Sequence, residues 1–105
     1  MMGHLGAALH GSSAYRSVRG HADYMSYRRH ELDVSIWNAR RLAGHKLTVY
    51  VHGSRAGTMT VWRGGSAHMN RHHGVPACSP GSSIRIRTSS GTLVASGTFH
   101  RMGMM

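Results

Sequence analysis

Residues Lys46–Trp62 read KLTVYVHGSRAGTMTVW, and this stretch decides the fold class. Leu47, Val49 and Val51 alternate with Lys46, Thr48 and Tyr50, and after a short interval the alternation returns at Met59 and Val61. A period of two puts successive side chains on opposite faces of an extended chain, so each half is a strand with one buried face. The interval His52–Gly57, with its two glycines, turns the chain back, and the whole reads as a β-hairpin.

The same period runs outward in both directions. His30–Asn38 (HELDVSIWN) sets Leu32, Val34 and Ile36 inward, and Ser83–Thr88 (SIRIRT) sets Ile84 and Ile86 against Arg85 and Arg87. Ser89-Ser90-Gly91 turns the chain into a last strand over Thr92–Phe99, with Leu93 and Phe99 inward. A shorter strand over Ser66–Arg71 faces Ala67 and Met69 inward, and His72–Ser82, which holds both prolines, is a loop because proline lacks a ladder donor. The competing pattern is one helix over Ala22–Leu42, against which the Leu32, Val34, Ile36 alternation weighs. Short strands at spacings of about 8 to 12 residues predict an all-β fold, a small antiparallel β-sandwich of about seven strands.

A chain of 105 residues supports one core of useful size. The expected division is an extended N-terminal arm over 1–20, a sandwich over 21–100 and a Met-rich tail over 101–105. Within the arm, Leu5, Ala7 and Leu9 alternate as a strand would, so the arm is expected to pair with the sheet edge of a neighbouring chain. Donated arm and receiving edge are different surfaces, which predicts a homo-oligomer or, without ring closure, a filament. No apolar run approaches the ~18 to 20 residues of a membrane span, and residues 1–10 carry no recognisable signal peptide.

Thirteen Lys and Arg face three acids, for a formal charge of +10. Twelve of the thirteen are Arg, and the acids are Asp23, Glu31 and Asp33. Catalysis by paired carboxylates has almost nothing to draw on. Nucleophile elbows, phosphate loops and dinucleotide fingerprints are absent, and Cys78 sits between Pro76 and Pro80 in a loop, so the protein is read as non-enzymatic. Arg28, Arg29, Arg85 and Arg87, with tyrosines and tryptophans for stacking, are the candidate polyanion-binding residues. Their partner would be single-stranded nucleic acid or another polyanion, such as an anionic cell-surface polymer.

Ten histidines and eight methionines are the unusual ingredients. The densest cluster, His68-Met69-Asn70-Arg71-His72-His73, combines imidazole and thioether, donors that suit copper. His68, Met69, His72 and His73 are therefore the candidate metal ligands, although no zinc-type spacing accompanies them.

The runs LDVSIWNAR, KLTVYVHGSRAGTMTV and VPACSPGSSIRIRTSSGTLVASGTF together resemble a repeat-like module of predicted secreted bacterial proteins. The matching positions are Gly53, Gly57, Val75, Pro76, Gly81, Gly91, Gly97 and Phe99, structural glycines and strand hydrophobics within residues 22–99. The loop before the Val-Pro pair, often acidic in such modules, is basic and His-rich here, so a cation-binding role does not carry over. What the resemblance implies is a secreted β-sandwich, extracellular or at the cell surface, that acts as a structural or interaction module.

Overall fold

The computed structural model describes residues 4–26 and 30–102. The strands are β1 (His4–Gly11), β2 (Arg19–Met25), β3 (Glu31–Trp37), β4 (Lys46–Val51), β5 (Ser54–Thr60), β6 (Ala67–Arg71), β7 (Ser83–Thr88), β8 (Leu93–Thr98) and β9 (His100–Arg101). A 3₁₀ turn over Arg40–Leu42 is the one helical element among the described residues. The fold is all-β and every strand pair is antiparallel. The helix weighed for Ala22–Leu42 is replaced by the β2–β3 hairpin, in register from Arg19↔Trp37 to Met25↔Glu31.

The strands form one continuous sheet, in the order β5-β4-β7-β8-β1-β2-β3-β6, with β9 on a remaining stretch of β1. This departs from two facing sheets of about seven strands: the sheet rolls until its edge strands β5 and β6 approach each other, as a nearly closed barrel. Gly57 makes that approach feasible, because a Cβ there would lie 2.7 Å from Met69 Sδ. Leu32, Val34, Ile36, Leu47, Val49, Val51, Met59, Val61, Ile84, Ile86 and Phe99 are buried inside, as their alternation requires. Leu93 is only half-buried. A register shift between Ile86 and Arg87 turns Val94 and Ala95 inward instead.

The β4–β5 hairpin is tighter than a six-residue turn. Val51 pairs with Ser54, leaving His52 and Gly53 as a two-residue loop with φ of 49° and 83°. Positive φ at both central residues matches the twist of the flanking strands, and Gly53 adopts it without steric penalty. Further along, Val49 pairs with Gly57 and Tyr50 with Arg55, so Ala56 is an extra residue that bends β5.

The largest correction concerns the N-terminal arm. His4–Gly11 is not an appendage but β1, paired with β2 from His4↔Met25 to His10↔Arg19 and with β8 at His10↔Ser96 and Gly11↔Ala95. Leu5, Ala7 and Leu9 are buried in the protein's own core, at 7%, 0% and 1% exposure, and so are not available to a neighbouring chain. The physical reason is that a strand pairing within its own chain avoids the translational and rotational entropy that docking onto a second molecule would cost. The tail also enters the sheet, since Arg101 of β9 pairs with Leu5.

These registers sort the connections into two poles. At one lie the loops 12–18, 38–45 and 61–66 and the turn 89–92. The other carries the His52-Gly53 turn, the loop 72–82 and the two ends of the described chain.

Candidate anion-binding site

Three of the connections at the first pole are fastened to one another. Loop 12–18 is anchored to β8: Ser12 N–H donates to Val94 O at 2.9 Å and its hydroxyl to Leu93 O at 2.7 Å. Val18 is buried at its end and Tyr15 packs half-buried against the core, leaving Arg16 and Ser17 to face outward. Loop 38–45 leaves β3 through Asn38, whose φ of 63° is rare outside glycine and more tolerable for Asn than for most residues. Ala39 N–H then donates to Gly65 O at 2.8 Å, and Ala39 and Leu42 are buried, so Arg40 and Arg41 are held at the surface. Gly65, with φ of 93°, lets the third loop close in: a Cβ there would lie 2.8 Å from Arg40 N. Arg41 ties the first loop to the second by donating to Ala14 O at 3.1 Å, with its guanidinium carbon 5.3 Å from the Tyr15 ring centroid.

The result is a pocket of about 360 Å³ whose polar lining comes from Tyr15, Arg16, Ser17, Asn38, Arg40 and Arg41. Three arginines line it and no acidic residue does. Beside it runs a groove of about 530 Å³ between Trp37 and Trp62, floored by Ser35, Thr60, Ser66 and His68 among others. Trp37 precedes Asn38 in the chain, and Trp62 lies two residues before Gly64 of the pocket, so the two concavities adjoin. Both volumes lie within the range of small-molecule sites.

The charge distribution explains why these arginines have no carboxylate partner. All three acids stand on the outer face of β2 and β3, where Asp23 and Asp33 are cross-strand partners. Directly opposed like charges are unfavourable, and here neutral or cationic partners surround each one. His4 and His21 reach Asp23 Oδ1 at 2.9 and 3.2 Å, and His68 reaches Asp33 Oδ1 at 2.8 Å. Asn70 Nδ2 donates to Glu31 at 3.0 Å and Asp33 at 3.1 Å. Among the described residues every side-chain contact of ion-pair distance to a carboxylate comes from a histidine to an aspartate, and no Arg or Lys makes one. The first pole, by contrast, gathers Arg16, Arg19, Arg40, Arg41, Lys46, Arg63 and Arg87 without an acid.

Of the polyanion residues expected from sequence, Arg28 and Arg29 lie outside the described residues. Arg85 and Arg87 share the outer face of β7, beside Tyr50 of β4, and Arg87 donates to Gly91 O at 3.0 Å. They form a basic stripe on another wall and do not line the pocket. Of the predicted metal quartet, the structure turns His68 outward to Asp33 and Met69 inward, where it is 5% exposed against Gly57. His72 and His73 lie exposed in the loop after β6, their rings 6.2 Å apart. The period of two that makes β6 a strand is what separates neighbouring ligands. Among the described residues no three His, Cys, Asp or Glu side chains come together as a metal would require. Burial pushes the Cys78 thiol up to about 11, the wrong direction for a nucleophile.

Sequence reasoning placed the candidate arginines elsewhere and did not foresee the convergence of Tyr15, Arg16, Asn38, Arg40 and Arg41. The available signal was three basic or polar loops following apolar strands, and topology alone brings them together. Comparison with protein-family models and with curated proteins finds no match for this chain.

Proposed function

We propose that the protein is a non-enzymatic binding module for polyanions, using the Arg16, Arg40, Arg41 pocket as its principal anion site. The observation that carries this reading is that three arginines from two loops line one concavity with no acidic residue in its lining. Guanidinium presents a planar fork of donors that matches phosphate, sulfate or carboxylate oxygens in pairs. Ser17, Asn38 and Tyr15 add neutral polar groups around the same space. The non-enzymatic part is supported by the acids, all engaged on another face, and by the protonated state of Cys78. The resemblance of residues 22–99 to secreted modules supports an extracellular or cell-surface location. Filament formation through Leu5, Ala7 and Leu9 and copper binding through the His68–His73 segment are not part of this reading, since those side chains are buried or turned apart.

Inorganic polyphosphate, titrated calorimetrically against the protein at increasing salt, tests the proposal. The expected result is affinity that falls linearly in log–log form with salt, and a shallower slope for Arg16→Ala, Arg40→Ala and Arg41→Ala combined. Absence of binding, or binding that the triple variant leaves unchanged, would overturn it.

A further inference from the structure

We infer that the groove between Trp37 and Trp62 receives unpaired nucleobases, and that the polyanion is a single-stranded nucleic acid whose phosphates occupy the adjoining arginine pocket. This rests on the polyanion reading above and narrows it to one class of polymer.

The chain has two tryptophans, and both stand largely in water, at 45% and 70% exposure, on the same groove. An exposed indole is a large apolar surface that folding has left unburied, and two flanking one concavity form a place for a flat apolar partner. Each has cations nearby: Arg19 is the cross-strand partner of Trp37, Arg63 follows Trp62, and Lys46 is the cross-strand partner of Thr60 in the groove floor. A ligand lying here is therefore aromatic-faced and anionic together. Ser35, Thr60, Ser66 and His68 supply donors and acceptors for the edges of such rings.

Single strands meet these requirements and duplexes do not, because a duplex hides its base faces in its own stack. A phosphate polymer without rings would use the pocket and leave the groove empty. Consecutive Cα atoms are about 3.8 Å apart, so Trp37 and Asn38 join one wall of the groove to one wall of the anion pocket through a single peptide bond.

The test compares a short oligothymidylate with an abasic deoxyribose-phosphate oligomer of equal length and charge, reading tryptophan fluorescence and affinity at fixed salt. Oligothymidylate is expected to quench the fluorescence and to bind roughly 5- to 150-fold tighter for each stacked base. Trp62→Ala and Trp37→Ala should each remove much of that advantage while leaving abasic affinity unchanged, and Trp62→Phe should retain part of it. Unchanged thermal midpoints establish that the variants are folded. Equal binding of the two oligomers, both weakened by the pocket substitutions, would overturn the nucleobase site and leave the polyanion reading standing. Failure of both oligomers and of polyphosphate would sink the polyanion reading itself. Preference for a sulfated polysaccharide over oligothymidylate, with the same quenching, would reassign the groove to sugar rings and overturn the inference.

Discussion

A chain that begins at His21 is expected to be unfolded. Removing residues 1–20 deletes β1, which lies between β2 and β8, together with the buried side chains of Leu5, Leu9 and Val18. Fully burying an aliphatic side chain contributes roughly 1.5 to 3 kcal/mol, so these three represent roughly 4.5 to 9 kcal/mol before any ladder hydrogen bond is counted. Domains of this length have total stabilities of about 5 to 15 kcal/mol. A graded version keeps the chain intact. Leu9 packs its two methyl groups over Gly20 and Gly97, within 3.1 and 3.2 Å of where their Cβ atoms would be. Glycines have no side chain with which to refill the space, so Leu9→Ala should fall in the upper part of the usual range of about 2 to 5 kcal/mol. At roughly 4 to 8 °C per kcal/mol for domains near this size, the midpoint should drop by at least about 10 °C. Thermal and urea unfolding followed by circular dichroism measure both changes. A chain from His21 that unfolds cooperatively with an unchanged midpoint would refute the placement of β1 in the core.

Gly97→Ala should also destabilise, because a Cβ there would collide with the backbone carbonyl of Ala8; the cost should exceed the roughly 1 kcal/mol typical of a substitution, as a urea midpoint would show. Cys78, its thiol pushed up to about 11 by burial, should react with iodoacetamide at pH 8 about 100-fold more slowly than an ordinary protein thiol. Burial raises the Tyr24 phenol in the same direction. In the unfolded chain both groups ionise at lower pH than in the folded one, so stability is fully present below the ordinary thiol range and is lost as pH rises toward about 11. Urea midpoints in neutral and alkaline buffer, with Cys78→Ala flattening the alkaline decline, check the sign.

Alternation made β3, β4 and β7 readable because large aliphatics occupy every inward position, whereas β5 showed only through Met59 and the following Val61, its other inward residues being Ala56 and Gly57. β2 was missed for the converse reason: its inward residues are Gly20, Ala22 and Tyr24, and two of the three are too small to register as hydrophobic. β1 did show its period, in Leu5, Ala7 and Leu9, but periodicity does not say which edge a strand will join, and the partner proved to be its own chain. The number of sheets was likewise beyond reach, since closure depends on Gly57 meeting Met69 across a seam that local sequence does not encode. For the site, basic loops were visible one at a time, while the meeting of Arg16 with Arg40 and Arg41 depends on strand order. The histidine cluster is divided for a reason the sequence did contain, because a strand over Ser66–Arg71 already sends His68 and Met69 to opposite sides.

His4 and Met102 are joined by a backbone hydrogen bond of 3.1 Å, at the pole away from the arginine pocket. Anything fused to either end of the described chain would therefore emerge from the same side of the barrel. Two such domains linked in series, or one tethered to a bead or a resin by either end, would keep Arg16, Arg40 and Arg41 at the pole away from the attachment. The same proximity makes the ends suitable for splicing by a short linker, with new termini opened in the 72–82 loop, also remote from the pocket. A permuted chain of this kind would move the order of synthesis around the barrel while leaving the pole with the arginine pocket untouched.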